Sequence, residues 1–178
     1  YHFDNKDKLF EATTARRSTQ INAARGLMLD QIFEPTETPS LEKLVEALFR
    51  PTIETGHRLA GGGGNFSRIL VSLANSHEKR DQQLIAQYYD PIAIRFIEAF
   101  GKVQPNLSPK AATWAYMFSI SVGMSMMAQT GRSLRLSNGA CDDSDVEAIL
   151  SEIIVFVCGG IRALANPTLA NPTLAKPK

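Results

Sequence analysis

With 178 residues, 44% of them hydrophobic, and a net charge of +1, the chain can bury a sizeable core and carries no strong electrostatic pull toward nucleic acid. Its two cysteines, Cys141 and Cys158, are too few for a disulfide framework or a cysteine metal cluster and read as free thiols. No signal-peptide pattern and no 18-residue apolar run is present, so a soluble, cytoplasmic chain without membrane contact is expected.

The pattern predicts helices throughout. Asn5 is a good N-cap and Asp7 puts negative charge at the positive end of the helix dipole, so a first helix runs from Lys6 to about Ile32. Ala12, Ala15, Ile21, Ala24, Leu27, Met28 and Ile32 give it a rough apolar stripe, and Gly26 reads as a tolerated interior glycine, with a bend or a close approach to a ligand as the alternative. The prolines of Glu34–Pro39 make a loop. Thr38 then caps a second helix with Pro39 at its first position, and Leu41, Leu44, Val45, Leu48 and Phe49 form a clean apolar face. Pro51 should end or kink it, with Ile53 and His57 as a continuation. Gly61–Gly64 lacks the strand before it and the Gly-Lys-Ser/Thr after it that a phosphate cradle needs, and reads as a flexible connection.

A short helix follows from Phe66 to about Asn75, with Phe66, Ile69, Leu70 and Leu73 inward. After a polar break, a longer helix reaches Phe100, with Leu84, Ile85, Tyr88, Tyr89, Ile92, Phe96 and Phe100 on one broad face and a kink at Pro91. Ser108 and Pro109 open the next helix, which should end near Gly131, where Arg132 and Arg135 suit a C-terminus. Ser137-Asn138-Gly139 is a turn, and Ser144-x-x-Glu147 is a capping box for a last helix ending near Ala165. The Ala-Asn-Pro-Thr-Leu repeat after it cannot be helical and reads as an extended tail.

The last two long helices stand apart. Residues 113–128 carry no charge and residues 148–161 carry only Glu152, so each must be covered on more than one side, which in a domain this small points to a second subunit. Ser121, Gly123, Ser125 and Ala128 would allow close helix approach. Metal and catalytic chemistry find little support. His2, His57 and His77 are far apart, His77-Glu78 lacks the second histidine of a zinc-protease helix, and no nucleophile elbow occurs. No cofactor and no enzymatic activity is expected.

The opening Tyr1-His2-Phe3, followed after two residues by Lys6-Asp7-x-Leu9, resembles the TetR family of transcriptional regulators; Asp4 stands where that family usually has glycine. The resemblance implies an all-α bundle of about six helices that dimerises through its last two long helices. It implies that residues 1–5 are the remnant of the end of the DNA-binding domain, with Tyr1, His2 and Lys6 left from its DNA-binding part, that residues 6–165 form the ligand-binding and dimerisation domain, and that residues 166–178 are a proline-rich tail. The homodimer interface would take Ser121, Ser125, Ile149, Ile153, Phe156, Val157 and Gly160. The effector pocket would draw on Leu27, Ile53, His57, Phe66, Ile69, Leu70, Tyr88, Ile92, Phe96, Trp114, Phe118 and Met124, with Asn65, Arg68, His57, Tyr88 and Tyr89 available to orient a ligand. An acyl chain, an aromatic compound or a coenzyme A thioester would each be compatible. The implied function is a ligand-responsive regulator, most simply a repressor of operator DNA. A helical carrier of apolar molecules without a DNA role is the alternative, and a small helical enzyme a more distant one.

Overall fold

The computed structural model describes residues 6–57, 63–127 and 130–166, so the aromatic trio at the N-terminus, most of the glycine run and the repeated tail lie outside the described residues. Those described form eight helices and no strand: α1 Lys6–Ile32, α2 Leu41–His57, α3 Gly63–Ala74, α4 Lys79–Tyr88, α5 Asp90–Val103, α6 Pro109–Met127, α7 Arg132–Leu136 and α8 Val146–Ala165. The all-α class is as expected. The count exceeds six because Pro91 breaks the long central helix and Gly131 sets off an extra turn.

Each boundary has a local cause. Pro91 sits in the first turn of α5, where its missing N–H is harmless, and Tyr89 links α4 to α5 as C-cap of one and N-cap of the other. Pro51, by contrast, lies inside α2, and the helix continues through it to His57. Ser40, not Thr38, caps α2 by accepting the Lys43 N–H at 3.2 Å. Asp145, not Ser144, caps α8 by accepting the Ala148 N–H at 3.0 Å, while Ser144 closes a turn onto Asp142. Ser108 caps α6 as the pattern requires, through the Ala111 N–H at 3.2 Å. Gly131 adopts φ +64°, a left-handed conformation open to glycine, so α6 ends before it and Arg132 and Arg135 belong to α7.

α2 is the hub. It packs against α1, α3, α5, α6 and α8, and its faces bury Leu44, Val45, Leu48 and Ile53. These join Phe96, Phe100, Leu150 and Ile161 in the main core. A second, smaller cluster of Ile21, Phe66, Leu70, Tyr89 and Met127 forms where α1, α3 and α6 meet the α4–α5 junction. Arg50 on α2 holds α8 through both carboxylate oxygens of Glu147 at 2.6 and 3.0 Å, and Arg162 on α8 reaches back to Glu42. Among the described residues α8 alone is long and apolar enough to cross a membrane, with a mean hydropathy of 2.0, contrary to the expectation that no such run exists. Ile149, Leu150, Ile153, Val157, Cys158 and Ile161 turn one side of it into the core. Both cysteines are free; Cys141 is exposed, and burial pushes the Cys158 thiol up to about 11.

The phase of α1 differs from the apolar stripe. Its buried face runs Thr14, Ser18, Ile21, Arg25, Leu29 and Ile32, while Leu27 is 66% exposed. Half of the inward residues are polar, and Ser18 and Arg25 bond to other helices, so apolarity is a poor guide to this helix. Thr14 is the exception: its hydroxyl is buried with no hydrogen-bond partner among the described residues. Thr14→Val keeps the shape and removes an unsatisfied group, so it should stabilise the fold by about 1 kcal/mol in chemical denaturation. An unchanged or lowered midpoint would mean that the hydroxyl has a partner in solution.

Candidate functional site: a cavity between the two clusters

A partly open cavity of about 210 Å³ lies where the two clusters meet. α2 contributes Phe49, Thr52 and Ile53; α3 contributes Leu70 and Ala74. Ile85, Tyr89, Asp90 and Ala93 come from α4, α5 and their junction, and Tyr116, Met117, Ile120, Gly123, Met124 and Met127 from α6. α1 supplies one residue, Arg25. The lining is predominantly apolar with a few polar groups, the composition of a small-molecule site. Its volume lies below the roughly 300–1,000 Å³ of sites for drug-sized ligands.

The polar groups are held from α1. Ser18, Asn22 and Arg25 fall on one helical face at spacings of four and three. The Ser18 hydroxyl donates to the Tyr89 oxygen at 2.7 Å, and the Asn22 amide donates to the Tyr88 carbonyl at 2.6 Å. Arg25 donates through Nε to the Leu48 carbonyl at 2.9 Å, through Nη2 to the Thr52 hydroxyl at 2.8 Å and through Nη1 to Asn22 at 3.3 Å. Pro51 has no N–H to give the Ala47 carbonyl, and in this weakened turn α2 receives the guanidinium at Leu48 and Thr52.

Arg25 is 4% exposed and, among the described residues, forms no ion pair. Burial lowers its pKa from the usual arginine value, and the neighbouring Tyr116 and Tyr89 partly offset this. Burial likewise raises the Tyr116 and Tyr89 hydroxyls, with Arg25 pulling both back. The guanidinium remains charged, since arginine does not lose its proton in proteins. The cavity therefore contains a buried cation flanked by two phenols.

Of the residues singled out from sequence, Ile53, Leu70 and Met124 line this cavity. Phe66 lies beside it in the second cluster, with Tyr88 packed against that cluster, and Ile92 and Phe96 are in the main core. His57 contacts the Ile53 carbonyl at 2.8 Å and the Asp143 carbonyl at 3.0 Å, tying α2 to the loop before α8, and does not line the cavity. Ile69 is half-buried on α3, Arg68 beside it is exposed, and neither lines the cavity. Leu27, Trp114 and Phe118 are elsewhere: each is more than half exposed, and the two rings stack at 5.4 Å on the outer face of α6. Sequence reasoning passes over Arg25, Phe49, Thr52 and Tyr116; the available signal is the polar spacing Thr14, Ser18, Arg25 in phase with Ile21.

The family model described as tetracyclin repressor-like, C-terminal domain, matches residues 46–160, from the middle of α2 almost to the end of α8. The chain belongs to this family. Comparison with curated proteins finds no match. A TetR-like C-terminal domain is the regulatory part of a ligand-responsive transcriptional regulator, and the all-helical bundle is its fold. Within this TetR-like domain, α1 and with it Arg25 lie outside the matched residues.

A second surface sits opposite α2, on α6 and α8, which pack side by side. Trp114, Met117, Phe118 and Ser121 of α6 and Ala148, Ser151, Val155, Phe156 and Gly159 of α8 are exposed there. The Ser121 hydroxyl donates to the Met117 carbonyl at 2.9 Å, so it leaves no unmet donor on that face. An open groove of about 830 Å³ continues the surface between α6, α8 and the loop before α8, with Cys141 and Phe156 on its walls. Gly160 is exposed on α8; Ile149 and Ile153 are buried and also border this groove, and Val157 is buried in the core. Ser125 has no described side chain.

Proposed function

We propose that the chain is the effector-binding and dimerisation domain of a cytoplasmic repressor, a regulator rather than an enzyme. A small, largely apolar molecule occupies the 210 Å³ cavity, and a second copy of the chain covers the exposed face of α6 and α8. DNA reading belongs to a helix-turn-helix N-terminal to α1, in keeping with the resemblance of residues 1–9. The observation that carries this reading is the bonding of α1 around the cavity. Ser18, Asn22 and Arg25 attach that helix to Tyr89, Tyr88, Leu48 and Thr52, so a molecule entering the cavity meets the groups that hold α1 in place. Different α1 positions would change the spacing of two DNA-binding domains relative to half-sites about one DNA turn apart. Only a ligand with different affinities for the two positions shifts their balance.

The test uses the full-length regulator and DNA selected by it from random sequence. Binding is followed by fluorescence anisotropy with the cavity empty and with it saturated by a small molecule shown calorimetrically to bind. We expect a symmetric site and at least a fivefold loss of affinity on saturation, the lower end of typical allosteric coupling of about 1–3 kcal/mol. Unchanged affinity at saturation, or no enriched sequence, would sink the repressor reading.

A further inference from the structure

We infer that the cavity selects molecules bearing a carboxylate or similar anionic group, which seats on the Arg25 guanidinium and the Tyr116 hydroxyl while an apolar remainder lies among α3, α5 and α6. This rests on the cavity being the effector site and specifies which class of effector it takes.

Four observations lead there. Arg25 is buried on the cavity wall with no carboxylate within ion-pair distance among the described residues. Its three hydrogen bonds go to neutral groups and use one N–H on each nitrogen, leaving one on Nη1 and one on Nη2 without an acceptor among the described residues. Tyr116 is 7% exposed, lies on the same wall close enough to feel the Arg25 charge, and its hydroxyl has no protein partner among the described residues. A buried guanidinium without an anion is costly, and the fork of two terminal N–H groups matches the two oxygens of a carboxylate. The opposing group is Asp90, the one carboxylate among the described lining residues; it is exposed at the start of α5 and makes no ion pair with Arg25, although its charge also reaches Tyr116. The remaining lining, Phe49, Ile53, Leu70, Met124 and Met127 among it, offers no further charge for an ionic ligand.

The experiment is calorimetric titration of the purified full chain with matched sets: octanoate, octanol and octylamine, then benzoate, benzyl alcohol and benzylamine. Within at least one set the acid should bind about ten- to hundredfold tighter than the alcohol, the range for hydrogen bonds to a charged group, with the amine weakest. Arg25→Met should bring acid and alcohol within about twofold of each other. Tyr116→Phe, which changes only the hydroxyl, should lower the acid preference about threefold or more and serves if Arg25→Met does not fold. Alcohols or amines binding as well as acids to the wild-type protein would overturn the inference and leave the effector-site reading intact. An acid preference that survives in folded Arg25→Met would overturn it too. If neither acids nor alcohols bind, the effector-site reading falls with it.

Discussion

Phe156→Glu is expected to convert a dimer into a monomer at micromolar concentration, raising the dimer dissociation constant about a thousandfold or more, which corresponds to about 4 kcal/mol. The side chain is 69% exposed in the isolated chain, so the substitution removes little from the fold itself. Val155 beside it is 72% exposed, and Trp114, Met117 and Phe118 extend the same surface across α6. An exposed apolar patch of this extent marks an interaction site. A twofold interface presents the same patch from both copies, so one substitution inserts two carboxylates into a surface where Glu152 is the only acidic group between Ala148 and Gly159. Each would be desolvated without a counter-ion, at a cost of several kcal/mol. Sedimentation velocity across a concentration series, with circular dichroism to check that helicity is unchanged, measures the effect. A wild-type chain that stays monomeric at high concentration would refute the dimer, and a Phe156→Glu protein that still dimerises would move the interface elsewhere.

That surface also shows where sequence stops being informative. In α8 both sides are apolar, so the absence of charge announces two covered faces without saying which residues belong to which. Ile149, Ile153 and Val157, at interface positions by the resemblance, are buried in the core, with Ile149 and Ile153 also bordering the groove, while Ala148, Val155 and Gly159 are exposed. The same ambiguity puts Trp114 and Phe118 in the expected pocket although their α6 phase turns them outward. In α1 the difficulty is reversed. Its buried face is chosen by hydrogen bonds to Tyr89, Leu48 and Thr52, partners 71, 23 and 27 positions away, which no periodicity of apolar residues can reveal. The helices themselves are legible, because local chemistry decides them: Ser108-Pro109 opens α6, Pro91 starts α5, and the heptad-like face from Leu41 to Phe49 fixes α2. Where two capping residues compete, as at Thr38 and Ser40 or Ser144 and Asp145, the choice depends on how the chain enters the bundle.

Gly123→Ala is expected to destabilise the fold, and to stop doing so when Phe49 is shortened. A Cβ at Gly123 would stand 2.5 Å from Phe49 Cε1 and 2.9 Å from Cδ1, well inside van der Waals contact. Phe49 is 2% exposed, so its ring can yield only by moving toward the cavity that both residues line. Overpacking of this kind costs about 1–3 kcal/mol. Alanine in place of glycine inside a helix returns about 1 kcal/mol, leaving a net loss of up to about 2 kcal/mol. In a Phe49→Leu background the clash disappears while the helix gain persists, so the same substitution should become neutral or stabilising. The coupling between the two sites, read from a double-mutant cycle in denaturant, should then be about 1–3 kcal/mol. If the effects of the two substitutions simply add, α6 does not approach α2 as closely as Gly123 allows. The glycine also sets the width of the cavity: a ring pushed inward narrows the space before Arg25 and Tyr116, so Gly123→Ala should weaken binding of any molecule that occupies it even where the folded population is unchanged.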